Sequence, residues 1–309
     1  MRYGVGVDIG GTKIRAALVG EDGGVLVKRD VPTDPEVGAD AAGDAVQLIL
    51  AEEGPRGEAI GAAVAGFVEQ PSGRIAFAPN LRYSNPDIGR ELGHRFTLAV
   101  VVQNDANAAA WAEHRCGAGR NVKNVLMVTV GTGVGGGAIV DGRLYTGSRG
   151  FAAEFGHIPV MKDGPRCACG ASGCLEALAS GTALGRAARE RVNDHPDSLV
   201  LQLAEGHVEK VTGAIVGQAA ISGDPFAKQL VQEVGTWLGV GLTGLAQAFD
   251  PGRIVVGGGV AEVGPLFLDA AIEEMNRRFM GQVAPPDVVP ASLGNDAGVV
   301  GAALLGLKV

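Results

Sequence analysis

Two stretches of this 309-residue chain spell out the same three-strand pattern, and that repeat limits its possible folds more than any other feature. Tyr3–Ile9 is an apolar strand, Gly10-Gly11 a tight turn, and Ile14–Val19 a second strand; Glu21-Asp22-Gly23-Gly24 then turns the chain into a third, Val25–Val31. The pattern returns at Val125–Val130, through the glycine turn Gly131-Thr-Gly-Val-Gly-Gly-Gly137, the return strand Ala138–Val140, the turn Asp141-Gly142 and Arg143–Tyr145. We read an internal duplication of a three-stranded meander, at residues 3–31 and 124–146, each copy followed by helices and buried strands.

Between and after the copies, apolar strands alternate with helical periodicity. Helices are expected at Asp40–Glu52 (ended by Gly54-Pro55), near Pro86–Phe96, and at Asp105–His114, Glu176–Val192, Pro225–Phe249, Pro265–Phe279 and from Asp296 onward. Buried strands are expected at Ile60–Val68, Leu98–Val102 and Arg253–Val256, the last leading into a third glycine turn, Gly257-Gly258-Gly259. Phe151–Cys174 reads as loop. Such alternation is that of an α/β protein with mixed sheets.

Composition excludes several classes. Fifty glycines without a three-residue period rule out collagen and instead mark tight turns and close backbone approaches. A net charge of −8 speaks against a nucleic-acid-binding surface. The longest apolar run, Ala297–Leu307, falls far short of the ~20 residues of a membrane span. Met1 leads straight into the first strand with no signal-peptide pattern, and three of the four cysteines crowd into Cys167–Cys174. A cytoplasmic protein with reduced thiols and no membrane partner is expected.

Four groups of residues carry chemistry. In Asp8-Ile-Gly-Gly-Thr-Lys13 a carboxylate ends a strand and Gly10, Gly11, Thr12 and Lys13 follow; backbone N–H groups there can line an anion pocket while Asp8 holds Mg²⁺ through water. The G-x-x-x-x-G-K spacing of a Walker loop is absent. Three glycine-rich strand ends, with Gly131, Thr132 and Gly133 and with Gly257, Gly258 and Gly259, can surround a triphosphate. In Asn104-Asp105-Ala-Asn107 either Asn104 or Asp105 can cap the following helix, and a carboxylate at such a strand end can take a proton from an attacking hydroxyl. His157, Cys167, Cys169 and Cys174 form H-x9-C-x-C-x4-C, a donor set suited to a closed, structural Zn²⁺ site. Glu154 and Glu176 flank it, and the second imidazole nitrogen of His157 stays free for a carbonyl, a carboxylate or a sugar hydroxyl.

Taken in order, Asp8–Lys13, Asn104–Asn107, Gly131–Gly137, Glu154-Phe-Gly-His157 and Cys167–Glu176 resemble the ROK family of repressors and sugar kinases over nearly the whole chain. The resemblance implies an actin-like (ribonuclease H-like) ATPase fold of two lobes, each with a mixed sheet and one copy of the meander. The active site would lie in the cleft between them. Residues 1–115 plus 296–309 would form the small lobe and residues 116–295 the large lobe with the zinc loop. The implied activity is transfer of the ATP γ-phosphoryl group to glucose, giving glucose 6-phosphate, with Asp105 as base on the 6-hydroxyl and Mg²⁺ as cofactor. Asn80, Asn104, Glu154, His157 and Glu176 would hydrogen-bond the pyranose, and the three glycine turns would face the nucleotide. N-acetylglucosamine, N-acetylmannosamine, mannose and fructose remain alternative acceptors. A non-catalytic sugar sensor is a remote alternative, since the meander starting at Tyr3 leaves no room for a preceding DNA-binding helix-turn-helix. A homodimer or homotetramer is expected from the commonness of such assemblies alone.

Overall fold

The computed structural model describes residues 1–11, 13–33, 38–78 and 86–308. The first meander forms as β1 (Tyr3–Ile9), β2 (Lys13–Gly20) and β3 (Val25–Pro32), paired antiparallel with Asp8 opposite Arg15. Helix α1 (Gly38–Leu50) follows, then β4 (Ala59–Val64), parallel to β1 and buried at every position, as its unbroken run of apolar and small residues requires. The expected strand Ile60–Val68 is broken at Val64: Phe67–Val68 is a separate strand, β5, pairing with β6 (Ile75–Phe77). After α2 (Ile88–Phe96) comes β7 (Ala99–Asn104), parallel to β4, which runs directly into α3 (Asp105–Cys116).

The second meander is β8 (Val125–Val130), β9 (Val134–Val140) and the short β10 (Arg143–Leu144). Then come α4 (Glu176–Ala179), α5 (Gly181–Arg191), α6 (Leu199–Leu203), α7 (Gly213–Ile221) and α8 (Pro225–Phe249). The chain ends with β11 (Arg253–Gly257), α9 (Pro265–Arg278), β12 (Asp287–Pro290) and α10 (Ala297–Leu307). The two five-stranded sheets have the orders β3-β2-β1-β4-β7 and β10-β9-β8-β11-β12. Each places the third, second and first meander strands in a row and adds two later strands beside the first, so the repeat seen in the sequence is a repeat of topology.

Three local readings change. The glycine turn ends at Gly133, because Val134 already begins β9; Gly137 lies inside the strand, where a Cβ would meet Ala110 Cβ at 2.5 Å and Ala106 O at 3.0 Å on α3. That glycine serves close packing and no turn. The helical stretch Glu176–Val192 is two helices, because Ser180 is extended (φ −98°, ψ 168°) and its hydroxyl accepts from Ala183 N (3.1 Å) as the cap of α5. Helices α6 and α7 and strands β6 and β12 are additional to the elements read from sequence.

By contacts the chain divides into two compact units, Met1–Met127 with Gly137–Ala153 and Ala291–Val309, and Val128–Gly136 with Glu154–Pro290. In the first, the sheet packs on α10 through glycines. A Cβ at Gly6 or Gly61 would collide with the α10 backbone at Val299 or Ala302, and one at Gly4 would lie 2.8 Å from Ala303 O. Backbone therefore rests almost directly on backbone. The other face of that sheet carries a core of Val5, Val7, Ile14, Ile60 and Val64 against Ala45, Val46 and Ile49 of α1. In the second unit, α8 begins at Pro225 behind an Asp224 cap that accepts from Ala227 N (2.7 Å), and buries Leu230, Val234, Leu238 and Leu242. Among the described residues no helix is long and apolar enough to cross a membrane.

Candidate active site and metal centre

In the first unit a carboxylate stands near the end of β1 (Asp8) and another directly after β7 (Asp105). Asn104 and Asp105 divide the work that the sequence left open: Asn104 Oδ1 caps α3 by accepting from Asn107 N (3.0 Å), which frees Asp105 from capping. Asp105 Oδ1 accepts from Asn104 Nδ2 (3.0 Å) and from Ala106 N (2.9 Å), so one oxygen is fixed and the side chain is aimed. Asn104 Nδ2 also donates to Gly66 O (3.1 Å), and the buried Gln103 supports both asparagines through Oε1, accepting from Asn104 N (2.8 Å) and Asn107 Nδ2 (3.3 Å). Nothing in the sequence singled out Gln103; its only signal is a polar residue at the end of an apolar strand.

Burial raises the Asp105 carboxyl above its usual range, against the pull of its hydrogen bonds. Asp8 is pushed up to about 7, first by burial and second by the Asp105 charge, with Arg15 and Lys13 pulling the other way. Both carboxylates thus have a raised proton affinity in a desolvated setting, an arrangement that favours a cation and makes a stronger base. Gly298 of α10 is a glycine for the same reason, since a Cβ there would sit 2.7 Å from Asp8 Oδ2.

The β1–β2 turn is closed by Gly10 N–H donating to Lys13 O (3.1 Å), with Thr33 Oγ1 donating to Gly10 O (2.7 Å). Lys13 extends to Asp30 on β3 (3.1 Å). Arg15 grips Asp30 with two nitrogens (2.7 and 2.9 Å) and Asp296 with a third (2.7 Å), and Lys28 completes the row at 2.8 Å from Asp296. Thr12 and Asn80 lie outside the described residues.

In the second unit the four expected metal ligands converge. The ligand atoms of His157, Cys167, Cys169 and Cys174 all lie within 4.8 Å of one another. Cys169 and Cys174 Sγ are 3.7 Å apart, and Cys167 Sγ is 3.7 Å from His157 Nδ1. Two sulfurs on a tetrahedral Zn²⁺ with bonds of about 2.3 Å stand about 3.8 Å apart, whereas a disulfide needs about 2.05 Å. The edges fit zinc, and all four cysteines are free thiols. The loop reaches this shape through Gly170 (φ +95°) and Gly173 (φ +75°), and a Cβ on Gly173 would collide with Met161 O. Burial pushes the Cys167 thiol up to about 12, while a backbone hydrogen bond at Ala171 holds the exposed Cys169 thiol below its usual value. Metal binding must therefore expel protons.

Glu154 precedes the 3₁₀ turn that carries His157, whose N–H donates to Glu154 O (3.0 Å). Glu176, at the start of α4, accepts from Val134 N with Oε2 (3.0 Å) and lies 3.6 Å from Cys167 Sγ with Oε1. The metal loop and the turn after β8 thereby meet on one carboxylate.

A cavity of about 880 Å³ opens beside that turn, within the size range of small-molecule sites. Gly131, Thr132 and Gly259 line it, as the sequence suggested for nucleotide-facing turns. Gly258 (φ +91°) folds the β11 end against Val130, where a Cβ would stand 2.5 Å from Val130 O. The remaining walls, including Thr182, Gly185, Gly213, Gln218 and Val260, were not foreseen. Their signal is the pair Gly181-x3-Gly185 and Gly213-x3-Gly217: a Cβ on Gly213 would strike Gly181 O, and one on Gly185 would stand 2.8 Å from Gly213 N, so α5 and α7 approach closely enough to build a wall.

Two like-ordered mixed sheets, acidic strand ends and a glycine-bordered cavity define an actin-like ATPase fold of the sugar-kinase type. Residues 4–309 match the ROK family, and the chain belongs to it. It is 43% identical to the glucokinase of Streptomyces coelicolor over 97% of this chain and 96% of that one. Its structure is similar to that of a ROK family glucokinase from Streptomyces griseus in complex with glucose and AMPPNP (TM-score 0.88, 42% identity, 99% and 100% of the two chains). It is also similar to a ROK hexokinase from Thermus thermophilus (TM-score 0.83, 37% identity, 99% and 98% of the chains).

Proposed function

We propose that this protein is an ATP-dependent glucokinase that transfers the γ-phosphoryl group of Mg-ATP to the 6-hydroxyl of glucose. The observation that carries the reading is Asp105, released from capping by Asn104, held by one oxygen and made more basic by burial, in a chain so similar to glucokinases over its full length. Asp105 takes the hydroxyl proton as that oxygen attacks the γ-phosphorus and ADP leaves, so the proton ends on the carboxylate and the phosphoryl group on the sugar. Asp8 would hold Mg²⁺ through water, and the cation would supply charge neutralisation on the phosphates.

The roles of the remaining residues follow the family resemblance. Asn80, Asn104, Glu154, His157 and Glu176 bind the pyranose hydroxyls, with His157 using the nitrogen not turned to the cysteines. Gly10, Gly11, Thr12 and Lys13, together with the other two glycine turns, receive the nucleotide, whose base and ribose fit the 880 Å³ cavity. The Lys13–Asp30 pair limits how far that ammonium reaches toward phosphate. Zn²⁺ on His157, Cys167, Cys169 and Cys174 is structural, since four protein ligands leave no open position. A cytoplasmic homodimer or homotetramer, free of nucleic acid and membrane, completes the proposal.

The test is coupled-assay turnover with Mg-ATP against glucose, N-acetylglucosamine, N-acetylmannosamine, mannose and fructose. Glucose is expected to lead in kcat/KM by about tenfold or more, equivalent to ~1.4 kcal/mol of transition-state preference. A lead by an acetamido sugar would move the substrate to a hexosamine, and absence of turnover with every sugar would sink the kinase reading.

A further inference from the structure

Glu176 stands between the metal cluster and the turn that borders the cavity. Its Oε2 accepts from Val134 N (3.0 Å), the first residue after Gly131–Gly133, and its Oε1 lies 3.6 Å from Cys167 Sγ. Gly133 has no room for a side chain, because a Cβ would collide with Oε2. The turn is closed by Gly131 N–H donating to Gly133 O (2.9 Å). Its other side is pinned to the start of α5, where Gly181 N donates to Gly131 O (2.8 Å) and Thr182 Oγ1 to Thr132 O (2.7 Å). Gly131, Thr132, Gly181 and Thr182 are all cavity walls.

From this geometry we infer that Glu176 is a positioning residue for the nucleotide, and that zinc on the His157/Cys167/Cys169/Cys174 cluster sets nucleotide affinity through it. The inference rests on the kinase reading of the cavity. A carboxylate is rigid and planar, so its two oxygens move together. Metal on the cluster would fix the position of Cys167 Sγ, and with it the carboxylate oxygen that lies 3.6 Å away. Loss of the metal would release Cys167 and let Oε1 turn, which draws Oε2 off Val134 N and loosens the cavity wall, so zinc is expected to tighten nucleotide. Because such a coupling is reciprocal, nucleotide must tighten zinc by the same factor that zinc tightens nucleotide.

The experiment measures binding of a non-hydrolysable Mg-ATP analogue by calorimetry, without sugar, to the full chain loaded with zinc and stripped of it, and to Glu176→Gln, Glu176→Ala and Gly133→Ala. Stripping zinc is expected to weaken the analogue about fivefold or more, at the low end of usual coupling strengths. Glu176→Ala should do the same. Glu176→Gln should stay within about twofold of wild type, because an amide oxygen still accepts from Val134 N. Gly133→Ala should keep one zinc per chain and lose nucleotide affinity. A chromophoric chelator should find zinc held more tightly, by the same factor, in saturating analogue. Unchanged affinity in a zinc-free chain that stays folded by circular dichroism would overturn the inference. If the zinc-free chain unfolds, unchanged affinity in zinc-loaded Glu176→Ala and Gly133→Ala overturns it equally. Failure of the zinc-loaded wild type to bind the analogue overturns the kinase reading together with this one.

Discussion

The turn after β1 and the turn after β8 occupy the same place in two sheets of the same strand order, yet different forces hold them. Around the first, the neighbours are ionisable side chains: Asp8 and Asp105 repel one another in a desolvated pocket, and Lys13, Arg15, Lys28, Asp30 and Asp296 form a half-exposed row of ion pairs. Around the second, the neighbours are Glu176, a metal cluster and glycines pressed against backbone. The strands beyond the meanders differ as well, for β3 runs eight residues along an exposed edge while β10 spans two. One duplicated scaffold thus supports two chemistries, with titratable groups that can move a proton on one copy and a rigid, metal-braced wall on the other.

The contrast can be broken at its most reactive point first. Asp105→Ala removes a base worth typically ~10²–10⁴-fold, so kcat should fall by about that much while the ATP-analogue affinity stays close to wild type. Steady-state kinetics giving near-wild-type kcat would take Asp105 out of its role. Next in size, Cys169→Ser should lose zinc and weaken glucose binding roughly tenfold, because the loop that holds Glu154, His157 and Glu176 loosens. Metal analysis of the purified variant checks this, and an intact zinc stoichiometry contradicts the ligand assignment.

The smallest effect concerns pH and belongs to the first copy alone. Asp8 titrates at about 7 in the folded chain against 3.8 for an ordinary carboxyl, so the folded state binds the extra proton. Stability from that group is complete below pH ~4 and lost as pH rises through ~7. In nucleotide-free protein, Asp8→Asn should therefore gain stability relative to wild type by ~1–3 kcal/mol between pH 4 and pH 8. Urea denaturation at the two pH values measures the difference. An offset independent of pH would mean that Asp8 is already solvated and that the acidic pocket does not exist.

What the sequence made legible was local. The duplicated meander could be read because strand, glycine turn and strand are neighbours in the chain, and the zinc ligands because three of them lie within eight residues. Helix α8 matched its expected span from Pro225 to Phe249, where a proline start and a long apolar stripe agree. Helix α7 is not read from the sequence because Gly213 and Gly217 argue against a helix; the reason for Gly213 lies in Gly181 and Gly185, about thirty residues earlier, and that for Gly217 in Val263 beyond β11. Gly137 reads as turn because nothing local reveals α3 lying over the strand at that point. The cavity combines residues from four separate segments, so only the two that carry glycine turns stood out. Glu176 was visible as a polar residue next to a cysteine, but its second partner, Val134 N, lies forty-two positions away.

Helix α10 has a consequence for the order in which the molecule can be assembled. It lies on Gly6 and Gly61 so closely that its own backbone fills the space where side chains of the first sheet would be, yet it is made nearly 300 residues after β1. A chain emerging from the ribosome has β1, β2, β3, β4 and β7 available early, with a glycine-floored trough on one face and no helix to fill it. The entropy of closing so long a loop falls on the last step, which makes docking of α10 the slow, late event in folding. Until then the trough is open to any passing apolar segment, and a nascent chain stalled before Ala297 is the form most exposed to aggregation and proteolysis.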